Sequence, residues 1–456
     1  MKKTITILVL LITCMSAMAQ DSTEPLETIY QKFAFTLFNK VAEDGNKNVI
    51  LSPFSAQIAL SMVQNGAAGN TLAEIQETMG TTGYANEQVN AYNQQLTERL
   101  TYRPPFSFNP SYQTEEEARE QYDYSYPVFE TANGIWASIG ESLLDEYKEQ
   151  MTTIYDAEVG NVDFGAQQGI DYINGWVSDK THQHIPSILD EPDGNIAVLL
   201  ANALYFNGCW TTPFDSDLTE TAKFHLADGK TMDVDMMKTE EIYCRTTTSE
   251  KFNTVTLPYG KGDFSMTIFL PTENQSIPQL TYDDWLLATD ANAPIKDFEL
   301  RMPKFEIEGK YDMVDLFKSL GMEEAFTGSA DFSRMSNFGL FIGDIFQSGK
   351  ICVNEKGTEA AAVTVIIMGR GNPSPPKTFV VDHPFYFTLE NNATHTILFM
   401  GRMMEISSSA GSPQGIKDIT ATSEANHQIY DLQGRRLQHT PAKGVYIHDG
   451  KKRVVK

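Results

Sequence analysis

The chain has 456 residues, with 60 Asp and Glu against 35 Lys and Arg, and a formal net charge of −25 at pH 7. Hydrophobic residues make up 41% and mean hydropathy is −0.30, the profile of a soluble globular protein with ample core, in one large domain or two to three ordinary ones. Binding to phosphate polymers needs clustered Lys and Arg; the main body has none, so nucleic acid and heparin-like polyanions are excluded as expected partners.

Residues 1–19 read as a bacterial-style secretory leader. Lys2 and Lys3 precede the apolar run Ile5–Ile12, and Ala17-Met18-Ala19 offers small residues for cleavage, with the mature chain starting at Gln20. The run is too short to span a membrane. Cys14 suggests a lipoprotein, but Thr13 before it is larger than such sites prefer. Cys209, Cys244 and Cys352 remain, an odd count that leaves at least one free thiol. All three are expected to be buried as small hydrophobes, and a core of this size needs no disulfide framework.

Helical periodicity begins in 27–43, where Phe33, Phe35, Leu37, Phe38 and Val41 form a broad apolar face. Ser52-Pro53 starts a second helix, Pro being welcome at a first helical position, and Gly66 and Gly69 break it before a third. Residues 80–126 are rich in Gln, Asn, Glu and Tyr and read as a long acidic insertion around one short helix. A strand is predicted over 131–138. An amphipathic helix is predicted over 167–188, ending near Ile185, and 197–214 reads as a strand buried on both faces by its continuous apolar run.

Residues 353–367, VNEKGTEAAAVTVII, carry a contradiction. Thr364–Ile367 is β-branched throughout, which suits a sheet interior, yet Gly369, Gly371, Pro373, Pro375 and Pro376 follow and demand an exposed loop. A strand-competent segment hung on a loop is a spring or an edge-pairing element. After Met404 the composition changes: 407–424 is a Ser-, Gly- and Thr-rich linker. The basic end that follows has short strands at 429–432 and 445–448, with a turn at Gln433-Gly434.

These segments together resemble the serpin family. Glu355, Gly357, Thr358, Glu359, Ala360, Ala361 and Ala362 match the hinge of its reactive loop, E-x-G-T-E-A followed by alanines. The stretch 48–80 fits N-x-x-x-SP-x-S with A-L-x-M and G-A-x-G-x-T, and TANGIWAS fits T-A-N-x-x-x-A. INGWVSDKTHQHI fits I-N-x-W-V-x-x-x-T-x-G-x-I, with Gln183 where the family has glycine. AVLLANALYFNGCWTTPF keeps Asn202, Phe206, Gly208, Trp210 and Pro213, and 257–271, 302–336 and 379–403 also fit. The resemblance covers about residues 24–405. It implies an α+β fold with three β-sheets, surrounding helices and an exposed reactive-centre loop over 355–378. The end, 425–456 after a 406–424 linker, is similar to the sorting tail on exported proteins of the Bacteroidota, by Y-D-x-x-G-R and K-G-x-Y-I. It implies export to the cell surface or beyond, with the periplasm as the other compartment.

An enzyme needs a catalytic constellation, and none is found. G-x-S-x-G, HExxH and Walker motifs are absent, and His182-x-His184, at a helix end where the spacing should splay the rings apart, lacks a third metal ligand. No metal, no cofactor and a monomer are expected. The resemblance implies a suicide substrate: a serine protease, or second a cysteine protease, attacks the loop, which then inserts into the sheet and traps the acyl-enzyme. Insertion puts alternate residues on opposite faces. Thr358, Ala360, Ala362, Thr364, Ile366 and Met368 share one face, Glu359, Ala361, Val363, Val365 and Ile367 the other, and neither carries Pro. Counting the family's usual seventeen residues from Glu355 reaches Gly371, so Arg370-Gly371 is the expected scissile bond, for a trypsin-type acidic pocket. Met368-Gly369 is second. The sheet-opening switch implied by the resemblance comprises Ser52, Ser55, Asn202 and Gln347, the last where the family often has His, with Trp210 at the top where insertion begins. The competing reading is a non-inhibitory binding or surface serpin whose loop is cleaved without trapping.

Overall fold

The computed structural model describes residues 24–406 except 112, 274–276, 290–294, 344 and 359–376, together with short strands between 429 and 455. The chain divides into two units, 1–408 and 409–456. Among the described residues there are nine α-helices and three sheets, of nine, six and four strands, in line with the expected α+β class. The four-stranded sheet lies in the second unit. It contains Ile429–Tyr430 and Gly444–His448, close to the predicted strands, plus Arg436–Leu437 and Lys451–Val455.

In the first unit, the nine-stranded sheet supplies the core wall. Phe264–Pro271, Phe385–Asn391 and Thr396–Met403 are buried at every position, polar Ser265, Thr267, Thr388, Glu390 and Arg402 included. Helices Leu26–Val41 and Pro53–Gly66 pack into the same apolar cluster. The second of these starts as read: Ser52 caps it by accepting from the Ser55 N–H at 3.1 Å, with Pro53 at the first turn. Helix Gly69–Met79 ends on Gly80 at φ +74°, where a left-handed residue closes the turn.

Three expectations about these elements need correction. Residues 80–126 hold two helices, not one. Asn86–Thr101 belongs to the packed body, burying Val89, Asn90, Asn93, Leu96 and Leu100. Its polar face misled because amides serve as packing groups there. Asn65 and Asn90 exchange hydrogen bonds at 2.8 and 2.7 Å, Gln57 donates to Asn93 at 2.7 Å, and Gln64 donates to Asn86 at 2.8 Å. Buried amides tied to one another lose little on desolvation.

The second correction is the helix predicted to reach Ile185. It spans Gln167–Lys180. Thr181 stops it: its hydroxyl donates back to the Val177 carbonyl at 2.8 Å and accepts from the Ile185 N–H at 3.1 Å. His182 and Gln183 then take φ of +49° and +68°. Gln183 thus adopts, at a cost, the left-handed backbone that glycine adopts freely. Gln183→Gly is expected to raise stability by about 0.5–1 kcal/mol, the left-handed penalty less glycine's added chain entropy. A higher urea midpoint at unchanged slope is the readout; no change means that the turn carries no strain.

The third is the strand predicted over 197–214. It spans Val198–Cys209, and it alternates in burial rather than being covered on both faces. Leu199, Ala201 and Ala203 are buried under the helix Gln167–Lys180, in a cluster with Trp136, Ile173 and Trp176. Leu200, Asn202 and Leu204, on the other face, are only half covered. The reason lies beside this strand.

Candidate functional site

The six-stranded sheet has the order Phe305–Asp312, Phe346–Val353, Gly357–Thr358, Val198–Cys209, Val128–Ser138, Ala157–Val162. Its third member is two residues long. Thr358 pairs with Val353 on one side and Gly208 on the other, while Gly357 pairs with Cys209. Below this wedge no ladder joins Phe346–Val353 to Val198–Cys209 among the described residues. The described residues thus leave a slot between two strands, with the wedge at its top. Two pockets open along it. One is lined by Leu204, Tyr205, Phe206, Lys350 and Ile351, the other by Leu200, Asn202, Ile345 and Gln347, with Ser55 and Leu60 behind.

The wedge is held by named groups. Residues 354–357 form a tight turn, the Asn354 N–H donating to the Gly357 carbonyl at 2.9 Å. Thr358 is fully buried, its hydroxyl 2.6 Å from that of Tyr259. Trp210 stacks on Tyr259 with ring centroids 4.3 Å apart. Its indole N–H donates to the Asn354 carbonyl at 3.0 Å and its backbone N–H to the Lys356 carbonyl at 2.8 Å. Glu355 receives the Lys304 ammonium at 2.6 Å and the Thr219 hydroxyl at 2.8 Å. Burial pushes its carboxyl up, but these two partners outweigh that and hold it below the usual range. A side chain on Gly357 would place its Cβ 1.9 Å from the Gly208 carbonyl oxygen, so this backbone approach admits glycine alone.

Lower in the slot, Gln347 donates to the Ser52 carbonyl at 2.7 Å and accepts from the Ser52 N–H at 3.3 Å. The Ser52 hydroxyl donates to the Leu398 carbonyl at 2.7 Å. The structure therefore brings Ser52, Ser55 and Gln347 together. Asn202 stands on the opposite wall, donating to Asn133 at 2.7 Å and Thr131 at 3.2 Å; its own carbonyl oxygen is buried with no partner among the described residues. Trp210 sits at the top. Glu359, Ala360, Ala361, Ala362, Met368, Gly369, Arg370 and Gly371 lie outside the described residues.

The histidine pair is not splayed as its spacing suggested. His182 and His184 both lie on Tyr205, with centroids at 4.1 and 5.6 Å, and His182 Nε2 is 2.7 Å from Glu130. The left-handed turn at 182–183 brings the rings to one side. No group of three or more His, Cys, Asp or Glu among the described residues could hold a metal. Cys209 and Cys244 are buried and Cys352 partly so; burial pushes the Cys244 thiol up to about 12, far from a reactive thiolate.

Sequence reading missed Tyr259, Thr219, Lys304 and Asn133 as site residues. Asn133 is the asparagine of T-A-N, and Lys304 and Tyr259 lie in the matched segments 302–336 and 257–271, but nothing in LPYG says that the Tyr259 hydroxyl meets a residue 99 positions later.

The family model "Serpin (serine protease inhibitor)" matches residues 28–406. The chain is 32% identical over 392 residues to Iripin-8 of Ixodes ricinus, covering 80% of this chain and 90% of that protein. It is 31% identical to Serpin B6 of Macaca fascicularis, covering 81% and 96%. Among solved structures, Serpin48 of Tenebrio molitor superposes with a TM-score of 0.70 at 28% identity, over 85% of this chain and all of that one. The thermophilic serpin Tengpin gives 0.71 at 27%, over 84% and 95%. The fold of the first unit thus has counterparts among solved serpin structures. The chain belongs to the serpin family, a family of protease inhibitors and not of enzymes.

Proposed function

We propose that this chain is an exported suicide-substrate inhibitor of serine proteases, trypsin-like enzymes first and cysteine proteases second. The observation that carries the reading is the wedge: Gly357–Thr358 already occupies the mouth of the slot as the first two residues of an added strand. Continuing that register into the slot sets Ala360 between Phe206 and Ile351, Ala362 between Leu204 and Gly349, and Thr364 between Asn202 and Gln347. Small side chains meet the crowded upper levels. The Thr364 hydroxyl arrives beside the Asn202 oxygen, which has no partner among the described residues, and there it can donate. About a dozen ladder bonds at roughly 0.5–1.5 kcal/mol each, with buried Val and Ile, release on the order of ten kcal/mol, enough to distort a captured protease and stall deacylation. The leader at 1–19 and the tail at 425–456 support export, by resemblance alone, and Arg370-Gly371 is the bond proposed to be cut, ahead of Met368-Gly369.

Mixing the mature protein with trypsin is expected to give an SDS-stable complex and a released peptide beginning at Gly371. Cleavage that leaves trypsin, elastase and subtilisin all active would sink the trap and favour a binding serpin.

A further inference from the structure

Residues 102–126, read from sequence as part of an insertion, form a largely exposed arm whose described residues are tied to one another. Thr114 and Glu117 cap its helix Glu115–Ser125 reciprocally, at 3.2 and 2.8 Å. Arg103 lies 4.7 Å from the centre of the Tyr122 ring and donates to Asp123 at 3.0 Å and to the Tyr126 carbonyl at 2.8 Å. Arg119 lies over Phe106 at 4.4 Å. An arm tied this way moves as a unit.

Its C-terminal end, residues 124–126, grips the two segments that hold the hinge. The Tyr124 hydroxyl donates to the Thr211 carbonyl at 2.8 Å, immediately after Trp210. The Ser125 carbonyl accepts from the Lys261 N–H at 3.0 Å, and the Lys261 ammonium donates to the Tyr126 hydroxyl at 2.6 Å while lying 4.2 Å from its ring centre. Gly260, at φ +52°, lies so close that a Cβ would stand 2.3 Å from the Ser125 oxygen. Thr211 and Gly260 are themselves joined by the Thr211 hydroxyl at 2.7 Å. Trp210 and Tyr259, next to these anchors, make the contacts to Asn354, Lys356 and Thr358 described above.

We propose, building on the inhibitory reading, that the arm is a brace that sets how firmly the hinge is docked, with Tyr124 as its positioning residue. The brace holds Thr211 and the 259–261 turn in register, so Trp210 and Tyr259 meet the hinge together. Releasing it frees the hinge from the mouth of the slot: the loop meets a protease sooner, but insertion starts from an undocked strand and more molecules are cleaved without trapping.

The test is amide hydrogen exchange on the full mature chain, wild type against Tyr124→Phe. Lys261→Met serves as a second variant that keeps the apolar stem. Losing one hydrogen bond at the brace is expected to speed exchange about fivefold at the amides of Trp210 and Phe214, which donate to the Lys356 and Glu355 carbonyls at 2.8 and 2.9 Å and so report hinge docking, and to leave the paired amides of 198–207 unchanged. Trypsin association should quicken while the molar ratio needed for full inhibition rises. Unchanged hinge exchange in both variants overturns the brace; acceleration spread equally over 198–207 overturns it too, as general loosening. If wild type forms no trypsin complex, the inhibitory reading fails, and the exchange result still decides the brace.

Discussion

Thr358→Arg is expected to convert the protein from a trap into a substrate. Thr358 is sealed between Val353 and Gly208 with its hydroxyl on Tyr259, and an arginine there must either bury an unpaired guanidinium or leave the slot. Burying an unpaired charge costs several kcal/mol, so the hinge undocks and the first step of insertion stalls. Deacylation then outruns trapping. Titration of trypsin should show the molar ratio for complete inhibition rising by about tenfold or more, the equivalent of roughly 1.4 kcal/mol in the partition between trapping and release. The cleaved variant should lack the heat resistance gained by cleaved wild type. An arginine variant that traps trypsin mole for mole would mean that this position does not lead insertion.

The second large effect concerns a carboxyl remote from the slot. Glu390 is buried among Thr267, Trp285 and the strands of the nine-stranded sheet. Trp285 Nε1 donates to it at 2.5 Å and the Thr267 hydroxyl at 3.3 Å. Burial pushes its carboxyl up to about 7, the two hydrogen bonds pulling weakly the other way. The folded state therefore holds this proton through a pH range where the unfolded chain has lost it. The stability it confers is full below the ordinary carboxylate range and drains away as pH rises through 7. A shift of this size corresponds to roughly 3 kcal/mol. Glu390→Gln keeps an acceptor for Trp285 and removes the ionisation. Urea midpoints should show the variant ahead of wild type at pH 8 and level with it at about pH 4, below the ordinary carboxylate range. Parallel pH profiles would place the proton elsewhere.

Much of this molecule is legible in its residues. The family-like segments at 257–271 and 379–403, the Ser52-Pro53 helix start and the hinge at 355–362 announce themselves by composition and order. Asn86–Thr101 does not, because hydropathy cannot distinguish an amide that faces water from one that faces another amide, as Asn90 faces Asn65. The left-handed Gln183 was visible as an anomaly, but only the backbone shows that the turn is kept. The slot is the deeper case. No periodicity in 198–209 or 346–353 reveals that two strand-forming runs stand apart with a two-residue wedge between them. That distance is a relation across more than 140 positions, and local propensity carries no trace of it. Tyr124 escaped for the same reason: its role is defined by Thr211, which belongs to another element.

The seated wedge also bears on how copies of this protein meet one another. Two facing strands with an empty place between them form an open template, and any extended segment of suitable residues can add there, including the same segment of a neighbour. Here the place at the top is taken by the molecule's own Gly357 and Thr358, and the Gly208 carbonyl stands where a side chain would go. A neighbour's strand must first evict two residues fastened through Tyr259, Trp210, Lys304 and Thr219. The same contacts that hold the spring ready thus guard against head-to-tail linkage into chains, and crowded solutions should keep this protein as separate molecules for as long as the mouth stays plugged.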